Sequence, residues 1–370
     1  MFDPIKASKE IKDSYIDYIT TTFDMADTDY EREFRKELQT DGMVASGPFL
    51  DIGGSYETGH SLRELIQAQK ASVLFERLEP VAEKERELKL DRPLYQHQET
   101  AMLKAGKGEN LVVTTGTGSG KTESFLLPII NHLLREQEAG TLSAGVRAII
   151  IYPMNALAND QMKRMRALFK NYPQICYGVY NGNTEHTQSK ALAEYHRTYH
   201  DETGEPTDPA PNEIISREVM QERPPHILIT NYSMLEYMML RPKDDAVFSG
   251  AKLKFIVLDE AHIYKGATGM ETSLLMRRLR ARISEPDSVQ YILTSATLGG
   301  PDADGDILSF AEKLCGVAFQ RSGIIRSTEK RPAMEDFLDF APALFEELQR
   351  SPDISSVLDR YHADFAPGGS

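Results

Sequence analysis

Between Leu94 and Gln320 the chain alternates short apolar runs, rich in valine and isoleucine, with longer amphipathic stretches. Short apolar runs that end at polar or glycine positions predict strands buried on both faces. The stretches between them predict crossover helices, so the segment reads as a parallel sheet flanked by helices. The strands fall at Leu111–Thr114, Arg147–Tyr152, Ile175–Tyr180, His226–Thr230, Phe255–Leu258 and Tyr291–Thr294. In an open α/β sheet ligands bind beyond the carboxyl ends of the strands, which makes the residues after each run the first place to look for chemistry.

The flanks read differently. Residues 1–90 show helical periodicity over Ile11–Ile19 and Leu62–Leu78 around a turn-rich middle, Gly47-Pro48 and Gly53-Gly54, and end in the charged run Glu83–Lys89. They form a mostly helical accessory region, with the charged run as a solvated helix face. Thr184–Pro225 is polar and contains Glu205-Pro206-Thr207-Asp208-Pro209, the pattern of an insertion with one helix and a flexible loop. From Ser322 onward the pattern is helical without a strand, ending in Ala366-Pro367-Gly368-Gly369-Ser370, a frayed terminus. The expected organisation is thus 1–90 accessory, 91–320 catalytic and 321–370 a helical linker or tail.

Composition narrows the class. With 370 residues, 41% hydrophobic and 26% charged, the chain can bury one full domain and a smaller attachment. The net charge of -14 excludes a globally basic coat, so strand binding is confined to a local groove of backbone amides and a few cations. The longest apolar stretches, such as Ala148–Tyr152, are far too short to cross a bilayer, and Met1-Phe2-Asp3-Pro4 lacks a signal pattern. A cytoplasmic location and no membrane partner are expected. Cys176 and Cys315 are not spaced for a metal or redox pair and read as reduced core residues.

Thr114-Thr115-Gly116-Thr117-Gly118-Ser119-Gly120-Lys121-Thr122 follows a strand and opens a helix. Glycines let backbone amides approach phosphate oxygens, the helix start favours negative charge, and Lys121 supplies a cation for the terminal phosphates. Thr122 is the expected magnesium ligand. The strict phosphate-loop pattern has glycine at the position of Thr115, so a flexible Gly/Thr turn remains the alternative on pattern alone. At the end of another strand stand Asp259-Glu260-Ala261-His262. Alone they read as a capped loop. With a phosphate loop in the same chain, Asp259 is expected to hold magnesium through water, and Glu260 to orient and deprotonate the attacking water.

These segments resemble the DEAD/DEAH-box helicases of superfamily two. The family pattern A-x-x-G-x-G-K-T matches Thr115 to Thr122 except at Thr115, the second motif is Asp259-Glu260-Ala261-His262 itself, and Ser295-Ala296-Thr297 matches the third. Leu94-Tyr95-Gln96-His97-Gln98 resembles the adenine-recognition motif, with Gln98 on the base edge and Tyr95 offering a ring to its face. Pro153-Met154-Asn155-Ala156-Leu157-Ala158 and Thr230-Asn231-Tyr232-Ser233-Met234-Leu235 resemble the strand-contacting motifs, which makes Pro153, Asn155, Thr230 and Asn231 the expected nucleic-acid contacts. Met154 stands where many relatives have threonine. Tyr264, Gly266, Gly269 and Arg277-Arg278-Leu279 resemble a subgroup of bacterial mitomycin-repair helicases and relatives in phage defence.

The resemblance spans roughly residues 94–320. It implies a RecA-like ATP-binding domain with ATP and magnesium as cofactors, and DNA rather than RNA as the strand bound, in a three-prime to five-prime sense. It also implies partner proteins in repair or defence. His262, Ser295 and Thr297 would couple the nucleotide site to the strand site. For His262 a satisfied core histidine, and for Arg277 and Arg278 a helix surface paired with acidic neighbours, remain the alternatives.

Such helicases close a second RecA-like lobe over the nucleotide, and its arginines stabilise the transferring phosphate. After Gln320 no strand–helix alternation is read, whereas a further lobe needs about a hundred residues or more. A missing arginine finger costs roughly 10³-fold or more in turnover. The chain is therefore expected to bind Mg-ATP, hydrolyse it slowly and not unwind a duplex alone. Two other readings share these residues: an ATP-switched nucleic-acid or protein binding module without efficient turnover, and a remodeller that moves on duplex DNA.

Overall fold

The structure is a computed structural model that describes residues 4–23, 25–40, 42–46, 55–79, 88–116, 118–200, 204–296, 298–299 and 301–330. Outside them lie Gly47-Pro48, Gly53-Gly54, most of the Glu83–Lys89 run, Thr117, Thr297 and the segment from residue 331, on which expectations were placed. The chain divides into two compact units, Met1–Ser55 and Tyr56–Ser370. Residue 90, the boundary read from the sequence, falls inside the second.

The first unit holds two helices, α1 (Pro4–Thr22) and α2 (Thr28–Gln39). Asp27 starts α2 by accepting from the backbone N–H of Asp29 at 2.8 Å and of Tyr30 at 3.3 Å, which satisfies donors the first turn would otherwise leave free. An Arg35–Asp17 ion pair joins the helices.

In the second unit, β1 (Thr58–Ser61) leads into α3 (Leu62–Gln67) and pairs antiparallel with β2 (Pro93–Tyr95), which runs straight into α4 (Gln96–Ala105). There follow β3 (Leu111–Thr114), α5 (Lys121–Glu138), β4 (Ala148–Ile151), α6 (Asn155–Phe169), β5 (Tyr177–Tyr180), α7 (Gln188–Thr198), β6 (Glu213–Ile214), α8 (Arg217–Glu222), β7 (Ile227–Thr230) and α9 (Tyr232–Leu240). The series ends with α10 (Asp245–Phe248), β8 (Phe255–Leu258), α11 (Gly266–Arg282), β9 (Gln290–Ser295), α12 (Asp304–Cys315) and β10 (Ile324–Arg326). β3 to β10 form one sheet in the order β10-β3-β9-β8-β4-β7-β5-β6, parallel throughout.

The strands are apolar on both faces because both faces are covered. Ile150 and Val113 join one core with α4, α5 and α6, while their neighbours Ile149 and Val112 join the other with α9, α11 and α12. All six strands read from the sequence are present: two with the expected bounds, three one or two residues shorter, and the last, Gln290–Ser295, two residues longer.

Three features differ from that reading. The stretch after Ser322 does contain a strand: β10 pairs Ile324 with Val112 and Arg326 with Thr114. It is too short to show a pattern, and its approach depends on Gly323, where a side chain's first carbon would lie 2.3 Å from the Asn110 carbonyl. Thr184–Pro225 is more ordered than one helix and a loop, since α7, β6 and α8 all fall within it. Glu213 in β6 is buried and holds Arg166 of α6 through paired bonds at 2.7–2.9 Å. Finally, α3 and the turn after it, read as part of the accessory region, pack with the sheet: Leu62, Leu65 and Phe75 belong to the same core as Val113.

Candidate active site

The sheet register brings the ends of β3, β9 and β8 level: Thr114 pairs with Ser295, and Leu258 with Leu293. Beyond β3 the chain turns through a loop in which Gly118 and Gly120 take φ of 76° and 72°, a left-handed conformation that glycine adopts without steric cost, before α5 begins at Lys121. The buried Ser119 hydroxyl knots the loop, 2.7 Å from Thr115 Oγ1 and 2.8 Å from the Gly116 carbonyl. Thr122 is half-buried in the first turn of α5.

The start of α4 clamps this loop from the side. Tyr95 N–H donates to Gln98 Oε1 at 2.9 Å, and Gln98 Nε2 donates to the Gly120 carbonyl at 3.1 Å, so both ends of the Gln98 carboxamide are held on backbone and the side chain is 1% exposed. His97 Nε2 lies 2.9 Å from the Ser119 carbonyl. Burial pushes the His97 pKa down, so a neutral ring donates that bond. Tyr95 and His97 stack with centroids 5.6 Å apart, and Tyr56 meets both rings edge-on. The Tyr56 hydroxyl reaches the loop itself: a carbon added to Gly116 would sit 3.1 Å from it.

The carboxylates arrive from β8. The Thr294 hydroxyl, buried in β9, donates to Asp259 and accepts from the Glu260 N–H at 3.3 Å. Burial pushes the Asp259 carboxyl up, the Thr294 bond pulls it down, and the neighbouring Glu260 charge pushes it up again, for a net rise. Glu260 is a non-glycine residue at φ 48°, ψ 48°. That conformation costs roughly 1–2 kcal/mol and turns the carboxylate toward α5. Lys121 Nζ lies 3.1 Å from Glu260 Oε1, His262 Nδ1 3.3 Å from Glu260 Oε2, and the same nitrogen 3.1 Å from Ser295 Oγ. One polar chain therefore runs from the phosphate loop through the carboxylate to the end of β9.

At the neighbouring strand ends, Asn155 opens α6 and Asn231 caps α9. Asn231 Oδ1 accepts from Met234 N–H at 2.7 Å, and its Nδ2 donates to Asn155 Oδ1 at 2.8 Å. Pro153 is half-buried beside them. Thr230 is turned inward, 1% exposed, and gives its hydroxyl to the Tyr180 carbonyl at 2.7 Å. Arg278 is ion-paired with Glu236, as the helix-surface alternative has it, whereas Arg277 bonds to Ser273 and the Lys313 carbonyl rather than to an acidic neighbour.

Among the expected residues, the structure thus joins Lys121, Glu260, His262 and Ser295 in one chain, sets Asp259 beside it through Thr294, clamps Gln98 onto Gly120, and pairs Asn155 with Asn231. Sequence reasoning missed Thr294, whose signal is a hydroxyl inside an otherwise apolar strand, and Tyr56, a tyrosine in a turn-rich stretch without one. Among the described residues no group of three or more His, Cys, Asp or Glu side chains gathers to hold a metal. A single carboxylate and a hydroxyl are the kind of oxygen donors magnesium takes when phosphates and water complete its shell.

A parallel sheet with a glycine-turned loop before a helix, and an acidic pair at the next strand ends, defines a P-loop nucleotide-binding domain of the RecA-like type. Residues 95–304, more than half of the chain, match the DEAD/DEAH box helicase family, and the chain belongs to that family. It is 34% identical over 414 residues to the Druantia protein DruE of Escherichia coli (strain UMEA 4076-1), covering 88% of this chain and 22% of that protein. It is 30% identical over 219 residues to the uncharacterized ATP-dependent helicase YprA of Bacillus subtilis (strain 168), covering 58% and 24%. With ATP-dependent helicase HRQ1 of Saccharomyces cerevisiae the identity is 28% over 213 residues, covering 56% and 16%. The chain spans about a quarter or less of these relatives.

Among solved structures, the DEAD-box helicase Mss116 bound to ssRNA and UDP-BeF aligns with a TM-score of 0.54 at 17% identity, covering 83% of this chain and 55% of that one. The DUF1998 helicase MrfA bound to DNA and AMPPNP aligns at 0.50 and 20%, covering 84% and 36%. Both likenesses show the fold. No helix among the described residues is long and apolar enough to cross a membrane.

Proposed function

We propose that this chain is the ATP-hydrolysing lobe of a DNA-dependent motor. The observation that carries the reading is the continuous polar chain Lys121–Glu260–His262–Ser295 across three adjacent strand ends. The amides of residues 116–121 and the Lys121 ammonium bind the phosphates. Thr122 and Asp259 supply oxygen donors to magnesium, which when bound neutralises phosphate charge. Glu260 orients water and takes its proton, because its carboxylate faces the phosphate loop beside Lys121. Tyr95 lies on the base side of the nucleotide, Gln98 acts there by fixing Tyr95 and Gly120 in place, and Thr115, Gly116, Thr117, Gly118, Ser119 and Gly120 shape the cradle.

His262 reads the state of Glu260 and passes it to Ser295 at the end of β9 and, through the third motif, to Thr297. Asn155, Asn231 and the backbone at Pro153 and Thr230 track a sugar–phosphate backbone without reading bases. DNA is favoured by the DNA bound in the MrfA structure, and RNA, bound in the Mss116 structure, is the alternative. The arginines that complete turnover come from a second lobe outside residues 91–320, so the isolated chain hydrolyses slowly and leaves duplexes intact. Steady-state ATP hydrolysis with and without single-stranded DNA or RNA, with Lys121→Ala and Glu260→Gln as controls, tests this. Turnover that ignores both substitutions would sink it.

A further inference from the structure

At the amino-terminal ends of the strands, across the sheet from Lys121 and Glu260, lies a cavity of about 490 Å³. Lys70, Lys107, Arg135 and Lys254 line it together with His132, and no carboxylate lines it among the described residues. None of the four long cations forms an ion pair with a described residue. Two of them are pinned in place instead: Arg135 donates to the Gln69 carbonyl at 3.0 Å and Lys254 to the Ser288 carbonyl at 3.0 Å. In a chain of net charge -14, four uncompensated cations around one concavity repel each other and focus potential for an anion.

The floor adds a second, independent feature. Gln290 opens β9, is 3% exposed, and its Oε1 has no hydrogen-bond partner among the described residues. A buried acceptor without a partner costs free energy that a ligand donor recovers. Leu103 and Pro128 supply an apolar wall next to the edge-on His132–Phe255 pair. An anion at the rim, a donor at the floor and an apolar body between them are the three requirements met by a nucleotide, and the volume lies in the range of small-molecule sites, ~300–1,000 Å³.

We propose that this cavity is a second nucleotide site, which binds a nucleoside monophosphate with its phosphate among Lys70, Lys107 and Lys254 and a ribose or base donor on Gln290. It is separate from the phosphate loop: β9 carries Gln290 at one end and Ser295 at the other.

Calorimetry with AMP, ribose 5-phosphate and inorganic phosphate tests the assignment on the intact chain, on Lys70→Glu/Lys107→Glu and on Lys121→Ala. Both charge-reversed positions are exposed, so folding is retained. AMP is expected to bind once per chain, roughly tenfold or more weaker after the double reversal, unchanged in Lys121→Ala, and tighter than either smaller probe. The double variant is expected to hydrolyse ATP as before. AMP binding lost in Lys121→Ala but not in the double variant would assign it to the phosphate loop and overturn the second site. Inorganic phosphate bound as tightly as AMP would overturn the nucleoside assignment, and so would a Gln290→Leu variant that binds AMP undiminished.

Discussion

Lys121 Nζ sits 3.1 Å from Glu260 Oε1, with the lysine side chain 11% and the glutamate 24% exposed. The cation that should meet phosphate and the carboxylate that should meet water thus neutralise each other. Nucleotide entry must exchange this pair for a lysine–phosphate contact, which frees Glu260 toward the water.

Replacing Glu260 with Gln is therefore expected to separate binding from chemistry. Hydrolysis falls about 10²-fold or more, the scale of a lost general base. Nucleotide affinity holds or rises, because Lys121 no longer has a competing charge. Lys121→Ala is expected to weaken both. Calorimetric ATP affinity beside steady-state turnover distinguishes the two outcomes, and a Glu260→Gln enzyme with normal turnover would contradict the assignment.

The pH profile should report Asp259. Its carboxyl lies above its ordinary 3.8, chiefly because of burial, so metal binding and turnover are lost on acidification at a higher pH than an exposed aspartate would set. For stability the sign is reversed. The folded state holds this proton more tightly than the unfolded chain, so the residue's contribution is full below 3.8 and declines as pH rises through its folded value. Thr294→Val removes the hydroxyl that pulls the pKa down. The acid limb of kcat/KM is expected to move to higher pH in that variant; an unmoved limb would count against Asp259 as the titrating group.

Ser295→Ala cuts the far end of the polar chain while leaving the phosphate loop intact. Unstimulated hydrolysis is expected to change less than about threefold, whereas stimulation by single-stranded DNA is lost. The comparison needs only turnover with and without DNA, and equal stimulation in both proteins would assign Ser295 a packing role.

Tyr56 sets its hydroxyl beside Gly116 of the loop and its ring against Tyr95 and His97. Tyr56→Ala is expected to raise KM for ATP several-fold with kcat little changed, since ring contacts of this kind contribute about 0.5–1.5 kcal/mol. Tyr56→Phe, which keeps the ring, should stay close to the parent value in the same assay.

Removing Glu213 strands Arg166, which is otherwise held against the Tyr199 ring at 4.3 Å. Glu213→Ala is expected to cost up to about 3 kcal/mol, the low end of the penalty for stranding a buried charge, because Arg166 is only half-buried. Chemical denaturation would register this as a lower midpoint.

The central sheet was legible because its strands are buried on both faces and read as uninterrupted apolar runs, and the phosphate loop and the acidic pair stand directly after them. What escaped is what such runs cannot encode. β10 and β6 are too short to carry a pattern, and β6 contains Glu213, a charge made compatible with burial by its bonds to Arg166 and the Tyr195 hydroxyl. The Glu260 backbone conformation is invisible in sequence, since nothing about a glutamate announces φ of 48°. The resemblance of its motif makes Thr230 an expected nucleic-acid contact, yet the Tyr180 carbonyl next door claims its hydroxyl. Tyr56 lies far along the chain from Tyr95 and His97 and joins them only because β1 pairs with β2.

The pairing of β10 with β3 has a mechanical side. The two strands run in the same direction, matched at three register pairs from Ile324–Val112 to Arg326–Thr114. Arg321 and Arg326 both grip Asp304, and the Glu57 N–H holds the Thr328 carbonyl at 2.8 Å. Tension on the polypeptide past Lys330 would load those bonds in shear rather than peel them one by one. The load would fall on the strand that ends in the nucleotide loop, which makes β3 a point where force and nucleotide state meet.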